Sequence, residues 1–199
     1  MGLKVTPEFF EHDSLYPAWT QHFPVEGVAT SNLRVGSRLF PRSVWKNSTR
    51  RDELFDTIRA VIEDGSALIQ YNIKADAPQG TLESAANSHW RDVLFFGIFG
   101  AVLQDGEEGE KVSRKVTDDW LGRLKKFGTG AYGNEADVME PDFGEAFWGK
   151  NYPRLLKIKK EVDPEDLFWV QAGVGSEGWH VVADSRKWLD TQDGQLCRL

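Results

Sequence analysis

Residues 128–164 read GTGAYGNEADVMEPDFGEAFWGKNYPRLLKIKKEVDP. A glycine cluster, Gly128, Gly130 and Gly133, opens this stretch and marks the best candidate boundary in the chain. Tyr132 and Asn134 follow at i and i+2, a spacing that puts a phenol and an amide on the same side of extended backbone. An acidic loop and an aromatic-glycine step, Phe147-Trp148-Gly149, come next. Asn151 can cap a helix, and Pro153 suits the first turn, where its missing N–H loses no partner. Tyr152, Leu155, Leu156 and Lys159 recur at helical spacing. Lys157, Lys159 and Lys160 sit where cations complement a helix C-terminus. Asp163-Pro164 ends the helix, because the residue before proline is pushed out of the α region.

The order of these features resembles the C-terminal signature of berberine-bridge-type FAD-linked oxidases, in the vanillyl-alcohol oxidase superfamily with its PCMH-type FAD-binding fold, and the pattern is fungal-like. The signature runs Tyr-x-Asn, Tyr-Gly-x-Asn-Tyr-x-x-Leu, then Lys-x-x-Tyr-Asp-Pro-x-x-Phe. The matching residues are Tyr132 to Asn134, Trp148 to Tyr152, Leu155, and Lys159 to Phe168. Trp148 stands where tyrosine is usual and Val162 where an aromatic is usual; both keep an apolar residue. GSRLFPR (36–42) and NSHWRDVL (87–94) look like landmarks from the second half of the family's substrate domain. His89-Trp90-Arg91 keeps the Trp-Arg of a common Pro-Ala-Trp-Arg.

The resemblance implies an α+β fold: residues 1–127 as half of a substrate domain, an antiparallel sheet with helices on one face, and 128–199 as a segment returning to the flavin domain. It implies FAD as cofactor, a small-molecule substrate, and a missing N-terminal FAD-binding half as partner. It places Tyr132 and Asn134 at the flavin, with Tyr132 also the catalytic base that takes a substrate hydroxyl proton. That role calls for a phenol more acidic than the ordinary ~10. The chain is expected to be a C-terminal fragment, from a truncated or split gene. A non-catalytic binding module that has lost its cofactor half is the alternative. Intact relatives are often secreted; MGLKVTPEFFEHD lacks the apolar core of a signal peptide, and localisation stays open.

Composition agrees with a folded domain. The 199 residues are 40% hydrophobic and 12% aromatic, enough for a core. A net charge of −7 without a basic run argues against nucleic acid. The longest apolar stretch, Val93 to Leu103, is too short to span a membrane and reads as buried strand. One cysteine, Cys197, excludes an internal disulfide, and Asn47-Ser48-Thr49 is a sequon that matters only in a secreted chain.

Along the chain, residues 1–31 show no clear period. Residues 32–45 read as a strand turning at Pro41. Ser48 or Thr49 can cap a helix over 50–63, with Leu54, Ile58, Val61 and Ile62 as its stripe and Asp64-Gly65 as its stop. Residues 66–75 alternate as a strand, 78–87 form a loop, 90–103 a second strand region, 104–110 a charged turn, and 112–127 a helix on Val116, Trp120 and Leu124. The two strands are expected to pair antiparallel.

Gln70, Asn72 and Lys74 share one strand face. They line a substrate pocket if that face looks toward the flavin, and are a solvated sheet face otherwise. Arg91 is a further pocket candidate, or half of an ion pair with Asp92. Arg38 and Arg42 also lie beside apolar segments. Gly173-x-Gly175-x-x-Gly178 matches the dinucleotide fingerprint literally, but no strand–helix–strand unit surrounds it, so it reads as a turn. His12, His22, His89 and His180 lack metal-ligand spacing, and no metal is expected.

Overall fold

The computed structural model describes residues 8–22, 33–75, 84–103, 107–182 and 194–199. Most of the loop expected over 78–87, and the start of the charged turn at 104, lie outside these residues. Residues 1–31 and 32–199 form two compact units. The described residues of the first include helix α1 (Leu15–His22), whose end carries His22 within 2.9 Å of His12. At eight residues it is too short for a period to show in the sequence.

The second unit is α+β. Strands β1 (Leu33–Pro41), β2 (Ala67–Asn72) and β3 (Val93–Val102) form an antiparallel sheet of order β1-β3-β2. The expected pairing is present, running from Ala67↔Gly100 to Asn72↔Phe95. The second strand begins at Val93 rather than Trp90, because Ser88–Arg91 form a 3₁₀ turn capped by the Asn87 side chain. Its apolar run VLFFGIFGAV is continuous because β3 is the central strand and is covered on both faces.

On one face, Phe40, Phe95 and Phe99 meet the helices. A short helix α2 (Arg42–Lys46) contributes Val44, and α3 (Ser48–Glu63) contributes Leu54 and Val61. The cap of α3 is Asn47, whose side chain accepts from the Arg50 amide at 3.0 Å, one residue ahead of the expected Ser48 or Thr49. The third helical run is α4 (Glu107–Arg114), a π-helical turn over Lys115–Trp120, and α5 (Leu121–Lys125). It begins five residues before the expected start at Val112. Glu107, Glu108 and Glu110, read from the sequence as a charged turn, instead sit in its first turn, where carboxylates complement the helix dipole. Val116, Trp120, Leu121 and Leu124 close the core. Both long helices lie on this face, as the sequence implied.

The other face gathers Leu39, Val93, Phe96 and Ile98, with Val35, Ile73, Trp90 and Tyr132 against them. Val93 reaches this face because the β1–β3 register slips between Phe40 and Pro41, so that Pro41 opposes Val93.

Two arginines on β1 point inward with the helices. Arg34 pairs with Asp137, and Arg38 Nη1 donates to Glu140 Oε2 at 2.6 Å; all four side chains are at most 5% exposed. Arg38 also reaches the Leu121 carbonyl at 3.5 Å. Gly36, between the arginines, lets α5 approach β1, since a Cβ there would overlap Leu121 Cδ1. Burial raises the Asp137 carboxyl above its ordinary value against the opposing pull of Arg34.

Downstream, α6 (Tyr152–Val162) leads through turns to β4 (Trp179–Val182), which pairs antiparallel with β5 (Gln195–Arg198). The literal dinucleotide fingerprint is a turn and a 3₁₀ segment, Ser176–Gly178, running into β4. No described helix is long and apolar enough to cross a membrane.

Breaking the Arg38–Glu140 pair leaves the buried Glu140 carboxylate with only the more distant Lys125, at 3.7 Å, among the described residues, whereas replacing both partners leaves no buried charge there. Arg38→Ala is therefore expected to cost about 3–5 kcal/mol, and the double variant Arg38→Met, Glu140→Leu to recover most of it. Urea unfolding of the single and double variants measures this.

Candidate functional site

The segment Gly130–Asn134 crosses the sheet face away from the helices. It belongs to no strand, and local bonds hold it. The Leu39 amide donates to the Gly130 carbonyl at 2.8 Å, and the Tyr132 amide to Ser37 Oγ at 3.1 Å. The Tyr132 ring is half-buried. It stands edge-on to Trp90, with centroids 5.4 Å apart, and to Phe96 at 6.0 Å.

The structure brings Tyr132 and Asn134 together, by a different route from strand alternation. Gly133–Glu135 form a 3₁₀ turn, and the Asn134 amide folds back to donate to the Tyr132 hydroxyl at 3.0 Å. Asn134 is exposed. Beside it lies an open cleft of about 380 Å³, lined among others by Gly133, Asn134, Asp137, Trp148 and Gln171. Trp148 Nε1 and Asp137 Oδ2 are buried there without a hydrogen-bond partner among the described residues.

The sheet does not bring Gln70 and Asn72 to Tyr132. Tyr71 opposes Phe96 and stacks on it, with ring centroids 6.0 Å apart, so Ile69 and Tyr71 share the Tyr132 side. Gln70 and Asn72, one residue out of phase, oppose Gly97 and Phe95 and are exposed toward the helix side. Lys74 follows β2 and is exposed. Arg91 is exposed in the 3₁₀ turn, where it donates to Ser84 Oγ at 3.3 Å.

Two features of the motif escaped the sequence reading. Asn151 stands at the N-cap of α6, but its side chain makes no cap bond. Its amide turns away to the Ala86 carbonyl at 2.8 Å, fastening the motif to the segment before β3. Tyr152 donates to a Glu177 carboxylate oxygen, and its hydroxyl accepts from the Gly175 amide at 3.3 Å. Burial, then the bond to Glu177, pushes its phenol up to about 12. Tyr152 is therefore a neutral donor at ordinary pH and cannot serve as a phenolate base. A Tyr and a Glu 25 residues apart carry no pattern that would have announced this.

His89 Nε2 lies 2.9 Å from Glu145 Oε1, joining the turn before β3 to the π-helical turn Gly144–Trp148. Among the described residues no three metal-ligating side chains gather.

Residues 131–175 match the family model described as berberine and berberine like. This segment is of the berberine type. It covers Tyr132, Asn134, the aromatic-glycine step and α6. Fungal proteins are among its relatives. Over 190 residues the chain is 30% identical to the FAD-linked oxidoreductase ZEB1 of Gibberella zeae, covering 92% of this chain and 32% of that protein. A 49-residue stretch is 57% identical to the FAD-linked oxidoreductase easE of Aspergillus fumigatus, covering 25% of this chain and 8% of that protein. Among solved structures, the VAO-type flavoprotein MtVAO713 from Myceliophthora thermophila aligns with a TM-score of 0.66 and 26% identity, over 85% of this chain and 29% of that one. BBE-like 1 of Physcomitrella patens, at 15% identity and a TM-score of 0.55, shares the fold over 79% of this chain and 32% of its own. The chain thus spans about a third of the length of the relatives that align with most of it.

The end of α6 carries a pH-sensitive clasp. Asp163 accepts from Lys159, from the Leu167 amide at 2.9 Å and from the Phe168 amide at 3.0 Å. Lys159 chiefly, with these amides, holds its carboxyl below the ordinary 3.8 against the opposing effect of burial. A depressed carboxyl stabilises the fold above its unfolded value and loses that contribution as pH falls through the folded one. Asp163→Asn should accordingly melt below the wild type at pH 6. The gap should close as the pH drops below about 4, near the carboxyl's unfolded value. Melting curves across that range test it.

Proposed function

We propose that this chain is the C-terminal portion of an FAD-dependent oxidoreductase that oxidises an alcohol, sugar or secondary metabolite, with oxygen reoxidising the flavin. Residues 1–127 contribute half of the substrate domain, and 128–199 contribute to the flavin site. The observation that carries this reading is the berberine-type segment itself, with the Tyr132 phenol held by Asn134 over an aromatic sheet face.

FAD, when bound, supplies the hydride acceptor. The described residues fit one edge of its ring system. The exposed Asn134 amide and the partnerless Trp148 Nε1 line one cleft and offer donors to a heteroaromatic edge bearing carbonyls. They do not fit the pyrophosphate, because no glycine-rich strand-to-helix turn occurs among them. That mismatch supports assembly with a separate FAD-binding half, in the same protein or as the second chain of a split enzyme.

Tyr132 takes the hydroxyl proton of the substrate, while Trp90 and Phe96 fix the plane of its ring. A pocket on this side uses Ile69 and Tyr71, both about half exposed, as its wall. Gln70 and Asn72 serve only a ligand on the helix side, and Lys74 and Arg91 sit at the margin. Beside Tyr132 the sheet offers rings and aliphatic carbons, which favours a flat apolar metabolite over a sugar within the proposed substrate range.

Two experiments test the reading. In the enzyme assembled with an FAD-binding half, Tyr132→Phe should slow flavin reduction by ~10²–10⁴, the usual worth of general-base assistance, and leave reoxidation by oxygen largely unchanged. Stopped-flow absorbance separates the two half-reactions, and an unchanged reduction rate removes Tyr132 from the chemistry. Titration of FAD into the 199-residue chain alone, followed by flavin fluorescence, should show no tight saturable binding. Tight binding would mean that no separate half is needed.

A further inference from the structure

We propose that Asn87 is the positioning residue for the Tyr132 phenol; the inference rests on the reading of Tyr132 as the group that takes the substrate proton. Tyr132 rides on irregular backbone, so no ladder of strand or helix bonds sets its place. Outside regular structure, each backbone polar group must find its own partner, and those partners fix the segment.

The Asn87 side chain satisfies this requirement at two points. Nδ2 donates to the Ala131 carbonyl at 2.9 Å and to the Ala146 carbonyl at 2.8 Å. Oδ1 accepts from the His89 amide at 3.0 Å. The two carbonyls accept and the amide donates, so the side chain has one orientation only. Asn87 is 7% exposed. The Ala131 amide also donates to the Ala146 carbonyl, at 2.7 Å, so Asn87 clamps two segments of the motif that already touch. Ala131 is the residue before Tyr132. No other side chain of this size has two donors and an acceptor in that geometry: aspartate lacks the donors, and alanine lacks everything.

The same turn also builds the wall against the Tyr132 ring. The Trp90 amide donates to the Asn87 carbonyl at 3.2 Å, closing the 3₁₀ turn that presents the indole edge-on to Tyr132. Ser88 adds a third tie. Gly149, at φ +54°, passes so close to Ser88 Oγ that a Cβ would overlap it, and the Lys150 amide donates to that oxygen at 3.4 Å. One turn therefore sets the backbone of Tyr132 through the Asn87 amide and its ring through Trp90. Displacing a reacting group by about 1 Å costs ~10² in rate, so such a clamp bears on chemistry as well as on folding.

The test uses the 199-residue chain labelled with ¹³Cζ-tyrosine, the Tyr132 resonance being assigned by its loss in Tyr132→Phe. Asn87→Asp and Asn87→Ala are expected to move that resonance and to speed amide exchange at Ala131 and Tyr132 by about tenfold or more, as local opening becomes easier. Val61→Ala, which cavitates the core on the opposite face, should lower the melting temperature and leave the Tyr132 resonance in place. A merely structural role for Asn87 would give the Val61 pattern and overturn the proposal. Should the Asn87 variants not fold, the wild-type chain still decides. Couplings across the hydrogen bonds from Asn87 Nδ2 to the carbonyls of Ala131 and Ala146 should be present, together with slow exchange of that amide, and their absence overturns the clamp. The readouts also separate this inference from the one beneath it. A moved resonance in Asn87→Asp beside undiminished flavin reduction in Tyr132→Phe would leave the clamp standing and remove the base.

Discussion

Two guanidinium groups on the inner face of β1 constrain the rest of the second unit. A charge taken out of water is tolerated only if paired, and breaking a buried pair costs more than the pair contributes. Arg34 and Arg38 are four residues apart on one strand and so share a face. Their carboxylate partners, Asp137 and Glu140, both lie on the acidic loop of the motif. Seating that loop against the helix side obliges the chain just before it to wrap around the outer edge of β1. Gly130 bonds Leu39 at that edge, and Tyr132 bonds Ser37, on the opposite face from the arginines. The position of the phenol is thus a consequence of where two buried charges find their counterions.

The two faces of the sheet divide the work. The helix face is a closed core of aromatic and aliphatic side chains, and stability concentrates there. The other face holds a smaller cluster, with Tyr132, Trp90 and Phe96 in mutual edge contact and Tyr71 stacked outside them. The β1–β3 slip at Pro41 adds Val93 to that second cluster. It lies at the start of β3, just after the 3₁₀ turn of Asn87 and Trp90, so the irregularity and the positioning turn are adjacent parts of one device.

The fold was legible where periodicity was strong. The stripe of α3, the alternation of β2 and the apolar run of β3 each announced an element and its partner. The order of residues in 128–164 announced the berberine-type segment. Boundaries were less legible: Asn47 rather than Ser48 caps α3, and the acidic stretch after 106 is helix. The site was half legible. Tyr132 and Asn134, expected to share one side of extended backbone, instead meet through a 3₁₀ turn. Gln70, Asn72 and Lys74 were assigned one strand face; Gln70 and Asn72 share a face of β2, and Lys74 lies beyond the strand. Which of two faces that would be depended on the β2–β3 register, and a one-residue phase reverses it. The Asn87 clamp and the two arginine pairs rest on contacts 44 to 103 residues apart in sequence. Arg34 and Arg38 at i and i+4 of an apolar strand were the one available hint that acids elsewhere must come to meet them.

Strand β2 closes the sheet on the side away from β1, and nothing described pairs with its outer edge. Ile69 and Tyr71, large apolar side chains on its Tyr132 face, are more than half exposed. An edge of this kind carries a row of unsatisfied amides and carbonyls, which is a template for another strand. No proline interrupts ALIQYN, and no charge guards it. In concentrated solution the same edge that could widen the sheet is the surface along which copies of the chain would zip into aggregates.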